Sequence, residues 1–407
     1  MSAEPTEFLN QQQTSIWKLF WTFLKIGSTA FGGFMALISV VQNYLVDREK
    51  LLTEEDMLDG TSLAMLLPGP VAVNVVAYAG YRIRGIPGAI ACASAVILPS
   101  FFLILFLSYA YFTWGGIPAI NNIFLGFLPA VAAIIIAAAF NMGKKALKGY
   151  VEMAIALAAL LALIFIEGFY ITLVIIFLSG LIGWVFFREK SAESASPDKQ
   201  TGTADKKLDI RTPITIISGS TLALVSLLFL NSQAFITGKL FATFAGMSLL
   251  LFGGGFVFIP LMQETIVETY HWVTQKEFID AIAMGQITPG PILISATFIG
   301  YKVAGIAGAA VATIGIFTPP AVLMLICTHY LSILKTSKTI QTILKGVRCG
   351  VIGMIAAAAY KVGMTADPNL ISLAIFLASL FALIKLKLEV AWIIPAAGLT
   401  TFLAYMM

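Results

Sequence analysis

Charge is what this sequence has least of. Asp, Glu, Lys and Arg make up 11% of its 407 residues, where soluble domains carry about 25%. With 59% hydrophobic residues, no water-soluble fold of this length has interior enough to hide the apolar surface, and the bilayer must act as solvent. Histidine is nearly missing, at two residues, which removes the basis for a His-based metal site. The three cysteines (Cys92, Cys327, Cys349) fall in apolar runs without CxxC spacing, so they read as packing residues, not a disulfide set or metal site. There is no GxxxxGK[ST] phosphate loop, which excludes ATP binding by that motif. Nor does any triad or metal-ligand cluster point to an enzyme, and no cofactor is implied. The net charge of +4 comes without a basic patch interleaved with aromatics, which argues against a nucleic-acid partner. Residues 1–15 are polar and lack the basic start and apolar core of a cleaved signal.

What is present is apolar sequence in span-sized lengths. Runs able to cross a bilayer, at roughly 17 to 25 residues, fall at 16–46, 57–82, 86–113, 119–142, 150–166 and 169–187, then at 213–231, 238–268, 275–302, 305–330, 340–362, 369–384 and 389–406. The expected fold class is an all-α polytopic membrane protein of about thirteen membrane segments. Pro-Gly-Pro interrupts 57–82 and 275–302, which read either as broken helices or as re-entrant hairpins. Between Arg188 and Arg211 lie 11 of the 46 charged residues, marking 188–212 as a solvated linker. The expected organisation is a polar cytoplasmic N-terminus (1–15), a first membrane repeat (16–187), the linker, an extra transmembrane helix (213–231) and a second repeat (238–407). With the N-terminus inside, 17 Lys and Arg fall in cytoplasmic loops and 5 in outer loops, as the positive-inside rule asks. A bacterial cytoplasmic membrane location follows as the expectation.

The halves are related by duplication. Residues 31–70 align without a gap to 252–291 at an offset of 221, with 11 identities in 40 positions. The matches are residues that rarely coincide by chance: Phe31-Gly32-Gly33 with Phe252-Gly253-Gly254, Gln42 with Gln263, Thr53 with Thr274, Asp59 with Asp280, and Pro68-Gly69-Pro70 with Pro289-Gly290-Pro291. After a one-residue slip, Gly80-Tyr81-Arg82 matches Gly300-Tyr301-Lys302, and Pro99 matches Pro319. One odd span between two six-span units inverts the second unit relative to the first. Inverted-topology repeats with Gly/Pro-broken helices at matched positions are a mark of secondary transporters.

The chemistry is expected at those breaks. Proline at a first helical position suits a new helix start, and the orphan N–H groups after Pro70 and Pro291 would make anion sites. Pro68, Gly69, Pro70, Pro289, Gly290 and Pro291 are therefore the primary substrate-site candidates, weighed against a plain packing kink. Asn74 and Ser295 one turn further on, Gln286 before the second break, and the matched Gln42 and Gln263 are neutral donors suited to an oxyanion. Any one of them alone is more often an interhelical hydrogen bond. Gly32, Gly33, Gly253 and Gly254 admit close approach or local unwinding, with helix packing an equal reading. Charged residues within spans suggest function. Lys25 and Arg348 could offset substrate charge, and Asp59 and Asp280 could carry a coupling proton, against an interfacial or capping role.

The set FGG, a T-x-x-x-x-x-D segment, PGP and GY[RK] resembles the chromate ion transporter (CHR) family in its long, two-domain form. The stretch from Phe252 to Gly305 looks like the family's signature region nearly end to end. The first half departs, with Phe34 after FGG, Leu51 opposite Trp272 and Met65 opposite Gln286. The resemblance implies ion-gradient-driven export of chromate or a related oxyanion such as sulfate, by alternating access. An uncoupled anion channel or a non-transport membrane subunit are the other readings. The partners implied are a small inorganic oxyanion and the lipid bilayer, and homodimerisation stays open.

Overall fold

The computed structural model describes residues 14–29, 34–114, 118–166, 169–187, 232–252, 255–328, 338–364 and 369–406. These residues are helical, joined by turns and short irregular links, with no strand among them. The linker, the extra span expected at 213–231, and Gly32, Gly33, Gly253 and Gly254 lie outside them.

Helices of the first half are α1 (Ile16–Thr29), α2 (Phe34–Gln42, continued by a π-helical stretch over Asn43–Arg48), α3 (Glu54–Leu66) and α4 (Val71–Trp114). They continue with α5 (Pro118–Leu125), α6 (Phe127–Ala146), α7 (Tyr150–Phe165) and α8 (Phe169–Phe187). The second half comprises α9 (Ser232–Ser248), α10 (Phe258–Met262, followed by π-helical Gln263–Thr269), α11 (Gln275–Ile287) and α12 (Ser295–Thr328). It ends with α13 (Lys338–Met364), α14 (Leu370–Phe381) and α15 (Val390–Met406).

Four of the expected spans turn back on themselves. Within 57–82, Arg82 pairs with Asp56, and Gly60 lies against the Tyr78 ring. Both pairs are centred on Gly69, so the α3 helix and residues 71–83 run antiparallel, with Pro-Gly-Pro at the tip. In 275–302, Lys302 pairs with Glu277 at 2.8 Å and Gly285 meets Ser295, a hairpin centred on Gly290. The same holds where sequence suggested single spans. Lys18 bonds Glu49 at 2.6 Å and Thr22 meets Tyr44 at 3.2 Å, which sets the two ends of 16–46 side by side as a hairpin. Lys239 lies over the Tyr270 ring at 3.9 Å, which does the same for 238–268. The physical reason is arm length. A 13-residue arm such as Glu54–Leu66 rises only about 20 Å, short of a hydrocarbon core about 30 Å thick.

Local sequence fixes these turns. Thr53 and Thr274 each close a capping box, with Asp56 and Glu277 respectively, so each hairpin starts at a defined residue. The same two carboxylates then receive Arg82 and Lys302 from the returning arm. A second reversal follows in α4 and α12. Gly85 and Gly305 adopt φ of +64° and +60°, values open to glycine and strained for other residues. Past these elbows the chain folds back so closely that Gly80 abuts the Gly88 carbonyl and Gly300 the Gly308 carbonyl.

Among the described residues, four helical stretches are span-length, two of them counted across the elbows at Gly85 and Gly305. Val71–Trp114, Asn122–Ala146, Ile292–Thr328 and Thr339–Met364 are long and apolar enough to cross a membrane. Shorter apolar helices include Tyr150–Phe165 and Ile171–Phe187. On α7 the buried face carries Ile155, Ala156, Ala159 and Leu163, while Met153, Leu157, Leu161 and Phe165 are exposed. An exposed apolar stripe beside a buried face rich in small residues is what lipid-facing packing produces. Close backbone approach recurs inside: Gly346 touches Gly183 and the Ser179 carbonyl, and Gly353 the Ala156 carbonyl.

Candidate functional site

Each Pro-Gly-Pro turn sits against the long helix of the other half. Ser100, midway along residues 86–114, donates its hydroxyl to the Pro289 carbonyl. A Cβ added at Gly290 would stand 2.8 Å from Ser100 Oγ. At the other break, a Cβ on Gly69 would strike the ring of Pro320, which is Ser100's match in the repeat. Both tips need a backbone that L side chains rarely adopt, with φ of +103° at Gly69 and +107° at Gly290.

The base of the second hairpin lies far from that of the first. Tyr111 donates to Asp280 at 2.7 Å, and Phe112 stacks on Tyr301 at 6.0 Å. These contacts stand at the Trp114 end of a helix whose Gly85 end adjoins the first base. The 29 residues of 86–114 separate the ends by roughly 43 Å. The two hairpins thus approach from opposite ends, each with its tip against the other half's long helix.

The breaks differ in what surrounds them. The Gly69 N–H donates to the Leu251 carbonyl at 2.9 Å, so the first tip is latched to the residue preceding the second half's FGGG run. Pro68, Gly69 and Pro70 are buried, whereas Gly290 and Pro291 are half-buried. Asn74 and Ser295, both fully buried, turn back on their own breaks: Asn74 Nδ2 donates to the Pro68 carbonyl at 3.2 Å and Ser295 Oγ to that of Ile292 at 2.7 Å. They brace the turns, and Asn74 Oδ1 is left without a partner. Gln286 beside the second break is half-buried with its Nε2 donor unpaired; its match is Met65. Arg348 of α13 reaches the first tip, donating to the Met65 carbonyl at 3.2 Å.

Other candidates stand apart from the tips. Lys25 is exposed on α1 and Gln42 is exposed on α2, while Gln263 is 4% exposed with Oε1 unpaired. Asp280, 1% exposed, lies toward its hairpin's base against Tyr111, and Asp59 is half-buried at the matching level. Neither carboxylate reaches a break. Sequence reasoning missed Ser100. Ser100 and Pro320, the pair on which the two tips rest, directly follow the matched Pro99 and Pro319 but differ in residue type, so the repeat gave them no identity to notice.

What the breaks offer is polar groups inside apolar helices: new helix starts at both, the Gln286 amide beside the second and the Arg348 guanidinium beside the first. These favour a negatively charged ligand.

Such hairpins within a bundle of long apolar helices define a class, the multi-pass helical membrane protein. The profile described as Chromate transporter matches residues 17–184 and 238–402, one match to each half, and the chain belongs to that family. It is a family of transporters, not of enzymes. Over 368 residues the chain is 32% identical to an uncharacterised transporter of Methanocaldococcus jannaschii, covering 90% of this chain and 89% of that one. It is 30% identical over 384 residues to a chromate transport protein of Cupriavidus metallidurans, covering 94% and 92%. A chromate transport protein of Pseudomonas aeruginosa is 31% identical over 395 residues, covering 95% and 92%. No solved structure matches.

Proposed function

We propose that this chain is an ion-gradient-driven secondary transporter that exports chromate, or a related divalent oxyanion such as sulfate, by alternating access at the paired breaks. The observation that carries this reading is the crossed seating of the two Pro-Gly-Pro tips, the first on Pro320 and the second on Ser100 of the other half's helix. A tetrahedral dianion would lie between them, held by Gln286 Nε2, Arg348 and the N–H groups of the half-helix starts. Moving one half against the other would open the centre to alternate sides.

In this reading the halves are inverted in a cytoplasmic membrane and the N-terminus is inside. Hairpins that return to their starting side bring Arg48 and Lys50 into the cytoplasm. With 213–231 crossing, 18 Lys and Arg then face inward and 4 outward, with Lys25, Lys345 and Arg348 inside helices. That distribution is sharper than thirteen plain crossings give, and it supports the re-entrant arrangement.

The test is uptake of chromate and of sulfate into vesicles holding the purified protein, with an imposed pH gradient of either sign. Gradient-driven accumulation supports a transporter, downhill flux alone a channel, and no flux of any oxyanion overturns both.

A further inference from the structure

Away from the breaks, a second charged centre occupies the π-helical stretch that follows α10. Lys361 Nζ, near the end of α13, lies 3.0 and 3.1 Å from the two oxygens of Glu268 and 3.6 Å from Glu264 Oε2. The exposures are graded: 25% for the Glu268 side chain, 17% for Lys361 and 3% for Glu264. Glu264 is flanked by Gln263 and Thr265, both buried, with Gln263 Oε1 and Thr265 Oγ1 lacking partners. Two carboxylates share one ammonium, so ionised Glu264, Glu268 and Lys361 together sum to one negative charge. Such charges are costly and are kept where they act, and π-helical stretches concentrate at functional positions.

The first half has no counterpart. The matched positions are Asn43, Asp47 and Asn141, of which Asn43 merely donates to Asp47 at 3.3 Å on an exposed surface. The ion pairs at the bases of the two Pro-Gly-Pro hairpins, by contrast, stand in both copies. This one is confined to the half that keeps the polar break.

We propose that Glu264, Glu268 and Lys361 form the coupling-proton site of the transporter. This rests on the transport reading above. One proton adds to a carboxylate oxygen of Glu264 and brings the cluster from one net negative charge to neutral. On deprotonation the ammonium of Lys361 is shared again between both carboxylates. A metal cation is disfavoured, because it would stand beside that ammonium. The more exposed Glu268 faces the outer side in the proposed topology and passes protons inward by way of the shared lysine. Neighbouring elements carry ionisable groups with tasks of their own: Lys239 lies over Tyr270 and Trp272, His271 Nδ1 is bonded to the Val267 carbonyl, Glu277 pairs with Lys302 and Asp280 with Tyr111. Tyr360 is exposed, and Lys276 is on the first turn of α11.

The test uses the full chain in vesicles with two readouts. One is accumulation of chromate or sulfate under an imposed pH gradient; the other is exchange of labelled against unlabelled oxyanion without a gradient. Glu264→Gln is expected to lower gradient-driven accumulation at least tenfold while exchange stays within twofold, and Glu264→Asp to recover part of the coupling. A sodium gradient is expected to drive nothing in either protein. Coupling that survives in Glu264→Gln, with or without reduced thermal stability, overturns the proposal and leaves the transport reading intact. Equal loss of exchange and accumulation in a protein that still elutes as a folded species also overturns it. Absence of any flux in the unaltered chain would instead sink the transport reading.

Discussion

The two halves share a frame and differ in what the frame holds. Thr53, Asp56 and Arg82 close the first broken hairpin, and Thr274, Glu277 and Lys302 close the second in the same roles. Lys50 and His271, at matched places, both take positive φ, and both elbows turn at a glycine. The contents diverge. Lys18 meets Glu49 in the first half, while its match Lys239 meets the ring of Tyr270. Gln42 is exposed where Gln263 is buried, Met65 stands where Gln286 does, and Pro320 faces one tip where Ser100 faces the other. Backbone reversals tolerate few residue types, so duplication preserved them. Polar side chains are freer to drift, and here Gln286 stands beside the second break where Met65 stands beside the first.

That comparison can be broken most directly at the tips. Gly290→Leu is expected to cut oxyanion flux by about two orders of magnitude, equivalent to roughly 2.7 kcal/mol in the barrier, while the protein still inserts and elutes as a folded species. Gly69→Leu is expected to fail earlier, as lost protein yield, because its new side chain meets the Pro320 ring rather than a hydroxyl that can rotate away. Full transport by Gly290→Leu would reduce the second break to scaffolding. A smaller effect is expected from Arg348→Gln: a rise of about tenfold in the half-saturating oxyanion concentration, or roughly 1.4 kcal/mol, with the maximal rate less affected. An unchanged concentration dependence would remove Arg348 from the site.

Smaller still are the carboxylates. Asp280→Asn, which loses the charge but keeps an acceptor for Tyr111, is expected to lower thermal stability more than Asp59→Asn, since a buried hydrogen bond to a charged group contributes about 1.5–3 kcal/mol. Equal shifts would show that the inter-half contact carries no weight. The smallest change is at the hairpin bases. Arg82→Glu is expected to cost at most about 1 kcal/mol, as part-exposed pairs do, and the added swap Asp56→Arg to recover part of it. A collapse of folded yield would mean that the base pair organises the hairpin, not only trims it.

The sequence made the class, the repeat register and the positions of the breaks legible, because Gly and Pro at fixed spacing are hard to mistake. It did not reveal that 16–46 and 238–268 fold back. Hydropathy counts apolar length, and two half-helices have the same apolar length as one span. The reversal depends on which residues meet across the turn, such as Lys18 and Glu49, and those are separated by 31 positions. Arg348 was singled out as a charge inside a span, and it does reach a tip. Lys361 lies at the end of the apolar run 340–362, where nothing local tells an interfacial lysine from one shared by two carboxylates on another helix. Ser100 carried no signal of its own, being one serine in an apolar run.

The crossed seating of the tips has a bearing on how the protein is made. Gly69 rests on Pro320, and Ser100 bonds a carbonyl 189 residues further along. When the first half leaves the ribosome, the surface that receives its broken hairpin does not yet exist. Contacts this distant in sequence form slowly, and synthesis delivers the N-terminal part first. The first hairpin must therefore wait in the membrane with its tip unsupported until α12, which carries Pro320, has been made.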